Sequence, residues 1–256
     1  MDRYSIDVLN TAVDIIEAFQ FNGNVPIKPG KLAQQTGINR TRIFRILKTL
    51  EQRGYVEADG QNNFQLSLKI LQLAESVHGK TELPKVAKPF LIELAQMTGD
   101  TVSLLVMNHG NAICLDSYQG HYSLQVAVPI GQILPLHVGV SPKLLLANLP
   151  LEEREHLIQT MTLTPYTPNT IVDRDELREV LKDIQEQGYA VDEEDFEIGV
   201  CAVGAPVRDH TGKVIAGITV TTPTTRFNMQ RKDELIRLVI DVSVRISAHL
   251  GWNGEK

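Results

Sequence analysis

A chain of 256 residues, 43% of them hydrophobic, with a formal net charge of −6, has material for about two domains with real cores. No stretch approaches the ~18 apolar residues of a membrane span, and the opening MDRYSIDVLN has no signal-peptide core. Two cysteines, Cys114 and Cys201, argue against a disulfide framework and for reduced thiols in a cytoplasmic setting. The charge is uneven: residues 1–80 sum to +2 and the remainder to −8. An acidic body of this kind discourages indiscriminate nucleic-acid contact away from a locally cationic segment.

The first predicted element is an amphipathic helix with Leu9, Ala12, Val13, Ile16 and Phe19 on its apolar face. Lys28 to Tyr55 (KPGKLAQQTGINRTRIFRILKTLEQRGY) follows as a short helix, a Thr36-Gly37 turn and a longer helix. In the first of these Leu32 and Ala33 turn inward, and Ile38 plugs the corner after the turn. In the longer helix Ile43, Ile46, Leu47 and Leu50 recur at i, i+3, i+4 and i+7, one stripe of an α-helix. At about 100° per residue Thr41, Arg45, Lys48, Thr49 and Gln52 point the other way. Arg42 flanks that face, Arg40 stands at the helix start, and Asn39 is a good N-cap. Between Lys28 and Arg53, seven Lys/Arg face one acid, Glu51. This is the form of a helix-turn-helix, whose second helix enters a DNA major groove.

A cationic helix by itself can be a solvated surface face, but the flanks point elsewhere. Arg53-Gly54-Tyr55 supplies a glycine cap. Strands Tyr55–Ala58 and Phe64–Leu66 then surround the turn-rich Asp59–Asn63 and form a wing. The predicted unit is a winged helix-turn-helix over residues 5–66, contacting double-stranded DNA. Thr41, Arg42 and Arg45 are the expected base readers, Arg40 and Lys48 come next, and Lys28 and Lys31 belong on phosphate.

Leu66 to Val77 reads as a helix with Leu66, Ile70, Leu73 and Val77 on one stripe, broken by His78-Gly79-Lys80. It is the predicted linker helix, 67–79, and its stripe calls for a packing partner. Val86–Met97 is the next helix, started after Pro84 and stopped by Thr98-Gly99-Asp100. Strands follow at Thr101–Met107, Ala112–Tyr118 and Leu124–Val128, with Asn108–Asn111 as the first hairpin turn. Helices are expected at Pro142–Asn148, Leu151–Met161 and Arg174–Gln187. Strands Gly199–Val207 and Val214–Thr222 close a second hairpin, and Gln230–His249 is a terminal helix. The resulting class is α+β, an antiparallel sheet with helices on its faces over residues 80–252.

Catalytic motifs are missing from the sequence. There is no glycine-rich phosphate loop, nucleophile elbow or paired-carboxylate motif. Cys201 has acidic neighbours upstream and no adjacent base, the wrong setting for a reactive thiol. No catalytic residue and no cofactor are expected. His109, His121, His137 and His210 lack the close spacing of a structural zinc site. A zinc ion on His137, Asp192 and a third ligand is the lesser alternative to no metal.

The order of motifs resembles the isocitrate-lyase-regulator (IclR) family of bacterial and archaeal transcription factors, over nearly the whole chain. Beyond the helix-turn-helix, Gly131–His137 (GQILPLH) followed by Lys143–Ala147 (KLLLA) resembles one family segment. Gln187–Glu194 (QGYAVDEE), with Gly199 and Ala205-Pro206-Val207, resembles a second, and Thr221–Phe227 (TTPTTRF) a third. The resemblance implies a GAF-like effector-binding domain, a homodimer or homotetramer, palindromic operators, and DNA affinity set by a small molecule, often a small carboxylic or aromatic acid. It implies effector contacts from Val140, Ser141, Asp192, Ala202, Thr219 and Thr221. Read from the residues alone, the threonines are equally strand residues facing solvent and Asp192 a solvated loop acid. Ser141, Thr219 and Thr221 can donate to a carboxylate, as can the N–H groups of the helix they adjoin.

The chain departs from the family in three places. Ala202 stands where a cysteine is frequent, and Cys201, one residue earlier, faces the other side of a strand. Pro142 and Val140 replace smaller residues, so Val140 narrows the site. The expected function is a sequence-specific, ligand-responsive transcriptional regulator without enzymatic activity. The second reading is a ligand-binding or dimerisation module whose winged helix contacts protein rather than DNA.

Overall fold

The structure, a computed structural model, describes residues 5–19, 25–78 and 82–254, with the backbone alone over 74–78. Contacts divide the chain into two units, residues 1–81 and 82–256.

The first unit runs α1 (Asp7–Ala18), α2 (Pro29–Thr36), α3 (Arg40–Gln52), β1 (Val56–Ala58), β2 (Phe64–Leu66) and α4 (Lys69–His78). Pro29 opens α2, where its missing N–H costs nothing. Gly37, at φ 69°, turns the chain into α3. Asn39 caps α3 as its sequence requires: its Oδ1 accepts from the N–H of Thr41 at 2.9 Å and of Arg42 at 3.4 Å. Ile15, Phe19, Leu32, Ile43, Leu47 and Phe64 fill the core.

Two expectations change in this unit. The buried side of α1 is Thr11, Ile15, Ala18 and Phe19, while Leu9 and Val13 are 57% and 50% exposed. The helix is apolar on both sides, and packing selects the side that carries Ile15 and Phe19. Leu66 is the last residue of β2, paired with Val56, rather than part of the linker helix. Helix α4 starts only at Lys69, whose N–H is accepted by the Ser67 hydroxyl at 3.2 Å. Its predicted break at Gly79-Lys80 lies outside the described residues.

The second unit runs α5 (Glu82–Thr98), β3 (Thr101–Asn108), β4 (Asn111–Tyr118), β5 (Ile133–Pro135), α6 (Val140–Ala147), α7 (Leu151–Thr160), α8 (Arg174–Gln187), β6 (Ala190–Glu193), β7 (Val200–Arg208), β8 (Val214–Pro223) and α9 (Met229–His249). The strands form one antiparallel sheet in the order β5-β4-β3-β8-β7-β6. Alternation along the strands gives the sheet two apolar faces. Leu104, Val203 and Val220 join α5 and α9 in one core; Leu105 and Ala202 join α6, α7 and α8 in the other.

Helix α6 lies close against the sheet because two strand residues under it have no side chain. A Cβ on Gly204 would stand 2.4 Å from Val140 Cγ1, and one on Gly217 2.6 Å from Ser141 Oγ. Strand β7 outruns β6, which pairs only with its first half. Beyond that point the Pro206 carbonyl accepts from the Ser243 hydroxyl at 2.6 Å, and the Arg208 N–H donates to Ser247 Oγ at 2.9 Å.

Three further expectations are corrected. Leu124–Val128 is not a strand; the chain there is held by side chains, with the Thr101 hydroxyl donating to the Val126 carbonyl at 2.7 Å. The neighbour of β4 is the short β5. Helix α6 begins at Val140, so Pro142 is its third residue, still within the first turn where no N–H is needed. Helix α5 likewise begins at Glu82, with Pro84 inside its first turn.

Candidate functional site

Helix α3 presents a cationic face. Arg40, Thr41 and Arg45 are exposed, and neither arginine carries an ion pair among the described residues. Lys28 and Lys31, at the start of α2, are exposed as well. Arg40, Thr41 and Lys28 share a concavity with Gln61 and Asn62 at the wing tip. Two of the expected contacts are engaged elsewhere. Arg42 pairs with Asp7 of α1 at 2.5 Å, and Lys48 with Glu51 at 2.7 Å. Both pairs are solvent-exposed and weak, so a phosphate can displace the acid. One residue of this face was not anticipated: Phe44, on the same exposed side.

The second unit contains a cavity with about 570 Å³ of free space, part of it open to solvent. All six residues carried over by resemblance line it: Val140, Ser141, Asp192, Ala202, Thr219 and Thr221. The sheet explains why. Asp192 pairs with Ala202, Ala202 with Thr221, and Gly204 with Thr219, so these side chains stand in neighbouring rows on the α6 face. Cys201, paired with Thr222, belongs to the opposite face. Helix α6 closes the site from above with Val140 and Ser141, and Ser141 Oγ lies 2.5 Å from Thr219 Oγ1.

Several lining residues escaped the sequence. Ser103 sits opposite Thr219 in the register of β3 and β8 and extends the row of hydroxyls. Gln132 and Val126–Val128 line the cavity from the irregular segment before β5. Phe196 and Glu197 line it from the β6–β7 loop, and Phe196 packs at a tilt against Tyr166 with centroids 5.1 Å apart.

Beside the hydroxyls lies a buried charged cluster. Asp192, Lys143 and Asp195 are each 5% exposed or less. Lys143 forms an ion pair with Asp195, whose other oxygen accepts the Gly139 N–H at 2.8 Å. The Asp195 N–H in turn donates to Asp192 Oδ1 at 2.8 Å. The run Asp192-Glu193-Glu194-Asp195 is therefore not a solvated acidic loop: Glu193 pairs with Lys232 at 2.7 Å, and Glu194 accepts from the Gly199 N–H at 3.0 Å and the Thr224 hydroxyl at 2.9 Å.

Burial, with the neighbouring Asp195 charge adding to it, pushes the Asp192 carboxyl up from 3.8 to about 8, and Lys143 offsets only part of this. The folded chain thus binds this proton more tightly than the unfolded one. Its stabilising effect is complete below the unfolded value and is lost as pH rises through the folded one. The expected result is a melting temperature that falls between about pH 4 and about pH 8. Asp192→Asn should flatten that part of the profile. Parallel profiles for the two proteins would refute the assignment.

His137 is fully buried, with Nε2 3.0 Å from the Thr164 carbonyl, so that nitrogen donates and ties the segment before α6 to the loop after α7. Among the described residues no three His, Cys, Asp or Glu side chains gather to hold a metal ion, and no helix is long and apolar enough to cross a membrane.

Comparison with known proteins agrees with this architecture. Residues 9–60 match the IclR helix-turn-helix domain, and residues 75–248 match the bacterial transcriptional regulator IclR C-terminal domain. The chain is 29% identical to the HTH-type transcriptional regulator XynR of Escherichia coli (strain K12), over 96% of this chain and 98% of that protein. It is 30% identical to the HTH-type transcriptional repressor AllR of the same strain, over 81% of this chain and 77% of that one. Its fold is that of the Thermotoga maritima IclR crystal structure, with a TM-score of 0.81, 25% identity, and coverage of 97% of this chain and 100% of that one. An IclR homolog from Microbacterium hydrocarbonoxydans, solved in complex with 4-hydroxybenzoate, shares the fold at 21% identity and a TM-score of 0.80, over 95% of this chain and 99% of that one. The chain belongs to the IclR family, and is a DNA-binding transcriptional regulator with a helix-turn-helix domain and a C-terminal ligand-binding domain rather than an enzyme.

Proposed function

We propose that the cavity under α6 takes a small organic acid and that its occupancy sets the affinity of the protein for its operator. The observation that carries this reading is the convergence of Ser103, Thr219 and Thr221 of the sheet and Ser141 of the α6 first turn on one cavity. Hydroxyls and first-turn N–H groups are donors suited to a carboxylate. A protonated Asp192 adds a donor where an ionised one would repel the ligand. Apart from Gln132 and Glu197, the remaining walls are mainly apolar, with Leu105, Val126, Val140 and Phe196, which fits a hydrocarbon or aromatic body. The fold accommodates such ligands: the Microbacterium homolog was solved with 4-hydroxybenzoate.

The DNA contacts we assign are Thr41, Arg45 and Arg40 to base edges, with Arg42 joining them once released from Asp7. Lys28, Lys31 and Lys48 lie toward phosphate. The further reading is a homodimer on a palindromic operator; it is supported by the first unit, where Leu9 and Val13 of α1 and Leu68 and Leu71 beside and on α4 are all at least half exposed. Apolar surface of this extent is what a partner copy covers. Such a complex works on the chromosome, in the cytoplasm.

Two measurements test the reading. Arg45→Ala should weaken operator binding by about 1–3 kcal/mol and relax the preference at one position, whereas Lys31→Ala should weaken all duplexes alike and lower the salt dependence. Equal losses on operator and scrambled duplex for Arg45→Ala would remove it from the base readers. Titration of small monocarboxylates into the full chain, free and DNA-bound, should show reciprocal coupling of the two affinities. Identical operator affinity with and without saturating ligand would end the regulatory part of the proposal.

A further inference from the structure

We propose that Phe44 reads the methyl group of a thymine in each operator half-site and is a specificity-determining residue of the DNA-bound protein. The proposal rests on α3 being the groove-entering helix and adds a contact that the polar readers cannot make. The other large apolar residues of α3 turn inward: Ile43, Ile46 and Leu47 are buried. Phe44 is 38% exposed. It follows Arg40 by one turn and precedes Lys48 by one, with Thr41 and Arg45 beside it, so it stands in the half of the helix that meets base edges.

Two concavities meet at this ring. One joins it to Arg40, Thr41 and the wing tip, the other to Arg45, Lys48 and Thr49. The ring is held from below: Phe64 of the wing meets it edge-on, with centroids 6.3 Å apart and planes at 82°. A supported aromatic side chain with two rotatable bonds loses little freedom on contact. It offers no hydrogen bond to a base edge. The apolar feature that distinguishes one base from the others in the major groove is the thymine C5-methyl, and apolar side chains are its complement. A partly exposed ring on the cationic side of α3, supported by Phe64 and with Lys48 Nζ 5.9 Å from its centroid, is matched to that group.

The test uses the full chain. Duplexes that bind it are first enriched from a random pool. Each thymine of the enriched half-site is then replaced by uracil, which deletes the methyl group alone. Wild type should lose about three- to fivefold in affinity at one position, the worth of one methyl group taken out of water. Phe44→Ala should be indifferent to uracil at that position and respond like wild type elsewhere. Phe44→Leu keeps an apolar group over Phe64 and should retain part of the penalty; it also serves if the alanine variant does not fold. Tolerance of uracil at every position by wild type overturns the proposal, as does a penalty undiminished in both variants. A pool from which no duplex is enriched removes the DNA-reading assignment itself, a different failure from an enriched site that ignores its methyl groups.

Discussion

Replacing Lys143 by alanine should destabilise the C-terminal unit by about 3–5 kcal/mol, the usual cost of stripping one partner from a buried ion pair. Lys143 and Asp195 keep only 4% and 7% of their side chains exposed. Asp195 is also a junction. Its carboxylate holds the Gly139 N–H ahead of α6, its N–H holds Asp192, and its carbonyl accepts the Thr170 hydroxyl at 2.5 Å. Without the ammonium group the carboxylate stays in the interior with one backbone donor, and the helix start, the β6–β7 loop and the loop after α7 lose their common tie. The sole tryptophan, Trp252, lies in this unit, so its fluorescence during urea unfolding reports the change directly. Removing both charges together, with Lys143→Met and Asp195→Asn, should recover most of the loss, because replacing both partners of a pair leaves no uncompensated charge. A Lys143→Ala transition within about 1 kcal/mol of wild type would show that the carboxylate is solvated or protonated at little cost.

Gly217→Ala should cost about 1–3 kcal/mol through overpacking and lower the affinity for a cavity ligand at least tenfold. Its Cβ would meet Ser141 Oγ at 2.6 Å, Cβ at 3.0 Å and Cα at 3.2 Å. Two of those three atoms cannot swing aside, since they belong to the backbone-anchored stem of α6. The helix must move away from β8. That separation pulls Ser141 from Thr219, now 2.5 Å apart, and widens the donor set under the cavity roof. Calorimetric titration of a binding carboxylate into wild type and variant separates the two effects. Unchanged ligand affinity in a destabilised variant would mean that α6 does not form the roof of the binding site.

The sequence made regular elements readable where one face is buried and one is wet. Helices α3 and α8 appear with the predicted ends, because Asn39 and Asp173 cap them and Gly54 and Gly188 follow them in left-handed backbone. The β3–β4 hairpin was equally plain from its turn. What failed depended on partners distant in the chain. The four residues of β6 are a strand only because β7 pairs with them. Leu124–Val128 has the apolar content of a strand, yet Val126–Val128 supply a cavity wall instead, a role with the same residue preference. The apolar arc of helix α1 is wider than the side it buries, so periodicity alone could not place the buried stripe within it. Phe196 and Tyr166 meet across two loops and leave no local trace. Ser103 was within reach, since one alternating register with Thr219 places both on one face.

The free half of β7 has a consequence for life at high protein concentration. An uncovered strand margin is a template on which another chain can build, and growth by that route ends in aggregates. Here the template is blank. Proline at 206 has no amide hydrogen to offer, and the serine hydroxyls of α9 occupy the carbonyl at 206 and the amide at 208. Two small side chains on a helix thus withhold this half of β7 from another chain.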